Sequence, residues 1–415
     1  MSKNLYFVDS IYQPIGGGMA VVSLLPTAPN EEKARVEVLQ DVNLEMSNYK
    51  GRIQEGWYVF CDDNKQFFYG NTTAFARNAF NEYKRLLELT IKRHLTEETR
   101  EDVSLLNRLK TQQNDIIISY HINVHHGNCS VILLQYGGGY EVWMVDCSLS
   151  EKGSGNQFAS NLEAAFDEIR KKLGKQPDDK ITIRRFFLTH HHADHYAGVE
   201  YLVNQGYIDN NTLCFWNIYY HMAGSMYLKT WQALINANVK FIEPIARNSR
   251  GAIEFLHPEC RLYRSKGTTG VKVKPSRVVG KANNSSTVVK FSLGGKSMVF
   301  PGDLERGGFD NMTKKKSCSP KLCGISYYAI SHHGSLNGHP DIPCLNPDPN
   351  HPRRPMDCIS IHNSKAILMG RDGAYPGIYS PVVTSYWGGR NALVKTEDAP
   401  HFVELNWGNG NVIMG

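Results

Sequence analysis

The chain has 415 residues, 41% hydrophobic and 21% charged, a balance that excludes a wholly disordered, collagen-like or coiled-coil protein. Its length exceeds the roughly 100 to 200 residues of one typical domain, so it calls for one large domain with an accessory region. A formal charge of +6 favours an anionic substrate without proving one and excludes only a strongly acidic character. The opening MSKNLYFVDSIYQPIGGG lacks the basic start, apolar stretch and cleavage site of a secretory signal. Apolar runs such as Met19 to Leu25 fall short of the ~18 to 20 residues that cross a bilayer. Nine cysteines, spread from Cys61 to Cys358, suggest no disulfide framework, and the steps between Cys318, Cys323, Cys344 and Cys358 match no zinc-finger spacing. The expectation is a soluble, cytoplasmic protein.

In chain order, the alternating segments Gly56 to Cys61 and Gln66 to Tyr69 predict small strands around a turn at Asp62 to Lys65. From Thr73, residues Phe75, Ala79, Phe80, Tyr83, Leu86, Leu87 and Ile91 recur at three- and four-residue steps and predict a helix with one core-facing stripe. Residues 1–112 form an N-terminal accessory region without a recognised motif, suited to covering a cleft or binding a protein partner. Beyond Gln113 the pattern changes to strands over Ile116 to Val124, Ser130 to Tyr136 and Val142 to Val145, with YGGGY as a hairpin turn. An amphipathic helix over Phe158 to Leu173 ends at Gly174. The strand Ile181 to Leu188 then runs into a histidine cluster, and further strands follow at Thr287 to Phe291, Met298 to Phe300 and Tyr327 to Ile330. GGKS from Gly294 to Ser297 imitates the end of a phosphate-binding loop. Lys290 stands where that motif needs glycine, so a hairpin turn is the better reading.

The histidine cluster is LTHHHADHYAG, Leu188 to Gly198, with His190, His192, Asp194 and His195 directly after an apolar strand. Residues two apart in an extended turn can send both side chains to one side, so His190 and His192 can share one metal while Asp194 and His195 turn to a second. Imidazole and carboxylate donors together suit zinc, with manganese or iron as alternatives. A solvent-exposed histidine run fits less well, because the cluster is internal, interrupted by Asp194 and joined to a buried-looking strand. Asp303 lies just past the strand Met298 to Phe300, after Pro301 and Gly302, where a tight turn can aim its two oxygens at two cations. Alone, Pro-Gly-Asp would read as an ordinary turn. His332 follows another strand end, and Asp146 ends a buried strand.

These pieces resemble the metallo-β-lactamase superfamily, and within it the domain found in the DNA-uptake protein ComEC. The resemblance is carried, in order, by NVHHGNCSVIL from Asn123, VDCS from Val145, the hexad itself, NNSSTVVKF from Asn283, MVFPGDLE from Met298 and ISHHGS from Ile330. It implies an α/β fold of four layers, αββα, over residues 113–415, with metals at one edge. It further implies two divalent ions, zinc or manganese, held by His190, His192, Asp194, His195, Asp303 and His332, with Asp194 and Asp303 as the catalytic carboxylates. His333 would contact substrate or sit behind the ligands, although His332 and His333 could exchange roles. Asp146 would orient a ligand histidine through the ring's other nitrogen. Many relatives supply a third histidine to the first metal. Here His221 and His257 stand in the right interval, and neither lies in a transferable motif. The family's later tyrosine-glycine-histidine-proline segment is altered to AYPG, Ala374 to Gly377.

Two ions about 3.5 to 4 Å apart ionise a bridging water near neutral pH and stabilise charge on the attacked group. No G-x-S-x-G elbow competes with that chemistry. From Arg261 to Lys281 the chain carries seven basic residues, among them Lys272, Lys274 and Arg277, and no acidic one. Lys314 to Lys316 add a second run. Either can hold a phosphate backbone or be a solvated loop. The expectation is a phosphodiesterase or nuclease acting on nucleic acid or nucleotides. A small-molecule hydrolase of the same fold, cleaving a phosphoester, lactone or lactam, is the alternative, and a non-catalytic binding module stands behind it. Without channel segments the chain is not itself a DNA importer.

Overall fold

The computed structural model describes residues 4–12, 19–26, 40–45, 58–61, 67–68, 93–112, 115–148, 155–217, 225–257, 283–313, 322–339, 359, 364–374 and 377–415. The helix expected from Thr73, the basic residues Lys272, Lys274, Arg277 and Lys314 to Lys316, and His221 lie outside them. Near the start, β1 (Asn4–Tyr12), β2 (Met19–Pro26), β3 (Gln40–Glu45), β4 (Tyr58–Cys61) and β5 (Phe67–Phe68) form an antiparallel sheet in the order β3-β2-β1-β4-β5. The two small strands expected there are β4 and β5.

Helix α1 (Arg100–Thr111) starts with a reciprocal cap. Thr99 Oγ1 accepts from the Asp102 amide at 3.1 Å, and Asp102 Oδ2 accepts from the Thr99 amide at 3.2 Å. The chain then forms β6 (Ile116–Ile122), β7 (Cys129–Tyr136), β8 (Gly139–Cys147), α2 (Gly155–Lys172), β9 (Ile183–Phe187), α3 (Ala193–Tyr196), α4 (Val199–Asn204), β10 (Leu213–Phe215), α5 (Ser225–Asn236) and β11 (Lys240–Ile242). A second set follows: β12 (Ile253–His257), β13 (Val288–Leu293), β14 (Lys296–Phe300), α6 (Arg306–Thr313), β15 (Tyr327–Ala329), β16 (Lys365–Leu368), α7 (Pro381–Gly388) and β17 (Leu393–Lys395). Last come β18 (Phe402–Asn406) and β19 (Val412–Met414). The turn in GGKS joins β13 to β14, with Leu293 opposite Lys296 and both glycines at positive φ, a conformation that glycine adopts without steric cost.

Two mixed sheets result. One has the order β11-β10-β9-β8-β7-β6-β18-β19, the other β12-β13-β14-β15-β16-β17. Strand alternation decides which face each residue covers. On β7, Ile132 and Leu134 join a core shared with Phe255, Phe291, Met298 and Phe300 of the second sheet, while Val131 and Leu133 pack outward with Leu162, Phe166 and Ile169 of α2. On β14, Val299 turns the other way, into a third cluster with Phe309 of α6 and Trp387 of α7. Helix layer, sheet, sheet, helix layer is therefore the observed order, as expected. Each large apolar side chain buried in these layers contributes ~1.5 to 3 kcal/mol.

Two features tie the layers together. Leu106 and Leu109 of α1 belong to the core between the sheets. Arg185 of β9, fully buried, sends its guanidinium to Glu98 and Asp102, each at 3.1 Å, and to Glu141. Removing one partner from such a buried pair typically costs about 3 to 5 kcal/mol. At the other end, Trp407 donates from Nε1 to Ser119 Oγ of β6 at 3.0 Å, and its carbonyl accepts from Tyr327 of β15 at 2.8 Å. The edge that matters for function is where the C-terminal ends of the parallel strands β8, β9, β14 and β15 meet. There the Thr287 amide donates to the Thr189 carbonyl at 2.6 Å and joins the two sheets.

Candidate metal centre

β9 stops at Phe187, and the next residues leave the sheet in an extended turn that caps α3 at His192. His190, His192, Asp194 and His195 are all buried there. Asp146, at the end of β8, fixes this turn with both oxygens. Its Oδ1 accepts from the Thr189 amide and its Oδ2 from Thr189 Oγ1, each at 2.7 Å, and Oδ2 also accepts from His195 Nδ1 at 2.8 Å. With Nδ1 so engaged, His195 presents Nε2 inward, 3.2 Å from Asp303 Oδ1.

The second sheet supplies the other side. Gly302 has φ +56, and a Cβ there would lie 2.6 Å from Thr189 Cβ and Oγ1, so only glycine lets β14 deliver Asp303 against the hexad. Four imidazoles face the Asp303 carboxylate through Nε2: His195 at 3.2 Å, His333 at 3.5 Å, His190 at 3.7 Å and His332 at 3.8 Å. His332 and His333 follow β15 with φ of 51 and 47. Two successive left-handed residues turn the chain so that the second imidazole, not the first, enters the cluster. His333 is 2% exposed, lies 3.1 Å from Asp194 Oδ2 and donates from Nδ1 to the Met369 carbonyl at 3.2 Å. His332 sits at the rim with its side chain 20% exposed, 3.4 Å from Asn283 Nδ2. The sequence favoured His332 as the ligand and left the pair open to exchange; of the two, His333 is the one buried within the cluster and His332 lies at its rim.

Electrostatics agree with a cation site. Burial alone would raise the carboxyls of Asp303 and Asp194, but the surrounding imidazoles outweigh it and hold both well below the usual carboxylate range. Burial, with His195 beside it, holds His190 well below its ordinary value, which favours the neutral imidazole that a metal needs. His333 loses from burial and gains more from Asp303 and Asp194, which push it up to about 10. Among the described residues, His190 Nε2, His195 Nε2 and Asp303 Oδ1 are buried without a hydrogen bond. Buried polar atoms left so are costly unless something else satisfies them. Asp194, His195, Asp303 and His333 offer ligand atoms within 4.8 Å of one another, and so do His190, His192 and Asp194. The donor set and its convergence fit divalent metal.

Other expected residues fall elsewhere. His257 is buried on β12, with Nδ1 2.8 Å from the Ser286 carbonyl, outside both ligand groups. Of AYPG, the described Ala374 and Gly377 flank two residues that are not. Sequence reasoning assigned no role to His126, whose Nε2 lies 3.0 Å from Asp194 Oδ2. It also passed over Thr189, the residue through which Asp146 holds the turn. A histidine pair followed by Gly-Asn after a strand was the signal for the first, and a hydroxyl directly before the hexad the signal for the second. Backbone strain marks the same place. Of seven non-glycine residues at positive φ among the described residues, four are His125, Asp146, His332 and His333, and strain of ~1 to 3 kcal/mol each persists where surroundings over-determine it, often at functional sites.

A four-layer unit with a buried histidine and aspartate cluster where its two sheets meet has the architecture of a metallohydrolase. The family model described as the metallo-beta-lactamase superfamily matches residues 124–340, just over half of the sequence, and the chain belongs to that superfamily. Among solved structures it is similar to the metallo-beta-lactamase fold protein YhfI from Bacillus subtilis, at 14% identity and TM-score 0.29, covering 52% of this chain and 70% of that one. It is also similar to a long form RNase Z from yeast, at 10% identity and TM-score 0.34, covering 85% of this chain and 51% of that one. No curated protein matches. No helix among the described residues is long and apolar enough to cross a membrane.

Proposed function

We propose that this superfamily hydrolase is a metal-dependent phosphodiesterase of nucleic acid or nucleotides, of the ComEC-like kind that its ordered motifs resemble. The observation that carries the metal chemistry is the convergence of His190, His195 and His333 Nε2 on the Asp303 carboxylate. In this reading His190, His192 and Asp194 would hold one ion, and Asp194, His195, Asp303 and His333 would hold the other, with zinc favoured and manganese second. When bound, divalent ions supply a water nucleophile ionised near neutral pH and positive charge facing the attacked group. The chain's own groups prepare that chemistry. Asp146 and the Met369 carbonyl fix the His195 and His333 rings through Nδ1, so both Nε2 atoms stay turned inward. The burial of Asp194 and Asp303 keeps bulk water from screening their charge.

Preference for a phosphodiester rests on positive charge near the cluster. Arg371 follows Gly370, a glycine packed against the His333 ring. Its exposed guanidinium lies 3.3 Å from His125 Nδ1 and, among the described residues, touches no carboxylate. The basic stretch with Lys272, Lys274 and Arg277 adds a second source of charge in sequence. A small-molecule hydrolase would be indifferent to long polyanions, whereas a nucleic-acid enzyme loses affinity steeply as salt rises. The same reading moves the expected boundary from residues 112/113 to about 93, because Leu106 and Leu109 of α1 enter the core between the sheets. It leaves the preceding residues as an accessory region that covers the cleft or binds a protein partner, and it places the protein in the cytoplasm.

The test is a gel assay of the purified chain with manganese or zinc on labelled single-stranded DNA, duplex DNA and RNA, beside Asp303→Asn. Cleavage by the wild type alone, with the variant's circular dichroism unchanged, is the expected result. Turnover by a clean Asp303→Asn preparation would sink the metal mechanism. Metal uptake without cleavage of any polymer would move the substrate to cyclic or free nucleotides and other small esters.

A further inference from the structure

The loop between β6 and β7, HHGN from His125 to Asn128, is built onto Asp194 by several independent contacts. The Asn128 amide donates to the Asp194 carbonyl at 3.0 Å. Gly127, at φ +97, touches the same carbonyl so closely that any Cβ there would overlap it. Ser148, just past β8, locks the loop from behind, donating from Oγ to the His126 carbonyl at 2.7 Å and from its amide to the Asn128 carbonyl at 3.0 Å. From this clamped turn the buried His126 ring reaches the Asp194 side chain, with Nε2 3.0 Å from Oδ2. That oxygen is the one facing His333 at 3.1 Å and His195 at 3.9 Å.

A loop that needed only to pack against α3 would be satisfied by its backbone bonds. Here an imidazole is also aimed at the one carboxylate oxygen that faces the ligand group. A carboxylate oxygen has two lone pairs. A hydrogen bond from His126 Nε2–H to one of them holds the other toward His195 and His333, and it stops the carboxylate from rotating to bind through both oxygens. We propose that His126 is a positioning residue for the Asp194 carboxylate and so sets the affinity of the cation that Asp194 holds. The inference rests on the metal reading above.

The experiment is a cobalt(II) titration of the full chain, followed by visible absorption and equilibrium dialysis, with Asp194→Asn marking the spectral component of the cation that Asp194 holds. His126→Ala should weaken that same component by ~10- to 100-fold, the usual effect of losing a partner behind a metal ligand. His126→Gln, whose side-chain amide places a donor near the position of Nε2, should restore it to within a few-fold. If His126→Ala does not fold, His126→Gln decides alone, a native cobalt spectrum supporting the inference and a changed one overturning it. Unchanged cobalt affinity in His126→Ala would overturn it. So would equal loss in both variants with metal-free thermal midpoints matching the wild type, since that would make the imidazole itself a ligand. A wild type that takes up no cobalt would instead defeat the metal reading, a separate result.

Discussion

The two halves of the metal centre are held by different means. On the side of the first sheet, Asp146, Thr189 and His195 form side-chain hydrogen bonds of 2.7 to 2.8 Å that fix the hexad turn. On the side of the second sheet, Asp303 and His333 are aimed chiefly by backbone handedness: Gly302, His332 and His333 all have positive φ, and the Gly302 carbonyl accepts from the His332 amide at 3.1 Å. One half can be repaired or damaged by changing a polar group, the other by changing what the backbone tolerates.

The sharpest test of this contrast compares His333→Ala with His332→Ala. Loss of His333 should raise the dissociation constant of one cation by more than about 100-fold, and loss of His332 by less than about 10-fold, set against the 10- to 100-fold of a partner behind a ligand. Competition with a coloured chelator measures both, and the opposite ranking would mean that the left-handed turn does not set the aim. Gly302→Ala should cost the fold about 1 to 3 kcal/mol, from the strained φ and the crowding of Thr189. Calorimetry should show the lower midpoint, and an unchanged midpoint would show that the seam has room.

The smallest effect concerns a histidine outside the centre. His121 of β6 is flanked by Ser119 and Ser130 hydroxyls at 3.0 and 2.9 Å, and burial lowers it from 6.5 to about 3. Folded His121 therefore stays neutral where the unfolded chain takes up a proton. Its contribution is present above pH 6.5 and is lost as pH falls from there toward about 3, amounting to about 1.4 kcal/mol between pH 7.5 and 5.5. His121→Gln should lack this component in unfolding measurements at the two pH values. A wild type and variant with parallel pH dependence would remove the assignment.

Much of the first half was legible because its signals are local. The apolar run into LTHHHADH marks both the strand and the cluster, and the continuous apolar runs of β6, β7 and β8 mark strands buried on both faces. The second half carried its residues in plain view but not their aim. Position after a strand end singles out His332, whereas two consecutive left-handed residues, which no composition rule announces for histidine, bring His333 inward. Helix α1 escaped notice because Val103, Leu105, Leu106 and Leu109 are its apolar residues in an otherwise polar and charged sequence. Strands β10, β11 and β17 span three residues each, too few to show a period. His126 was hidden for another reason, since its partner Asp194 lies far along the chain.

The place of β18 has a consequence for how the protein is made. Phe402 to Asn406 pair with β6, whose strand was synthesised some 280 residues earlier. Until the ribosome has released that stretch, the nascent first sheet presents β6 as an open edge, a template for pairing with other chains. The Trp407 bond to Ser119 then fastens the late strand in place, so a strand translated late covers the open edge of one made much earlier.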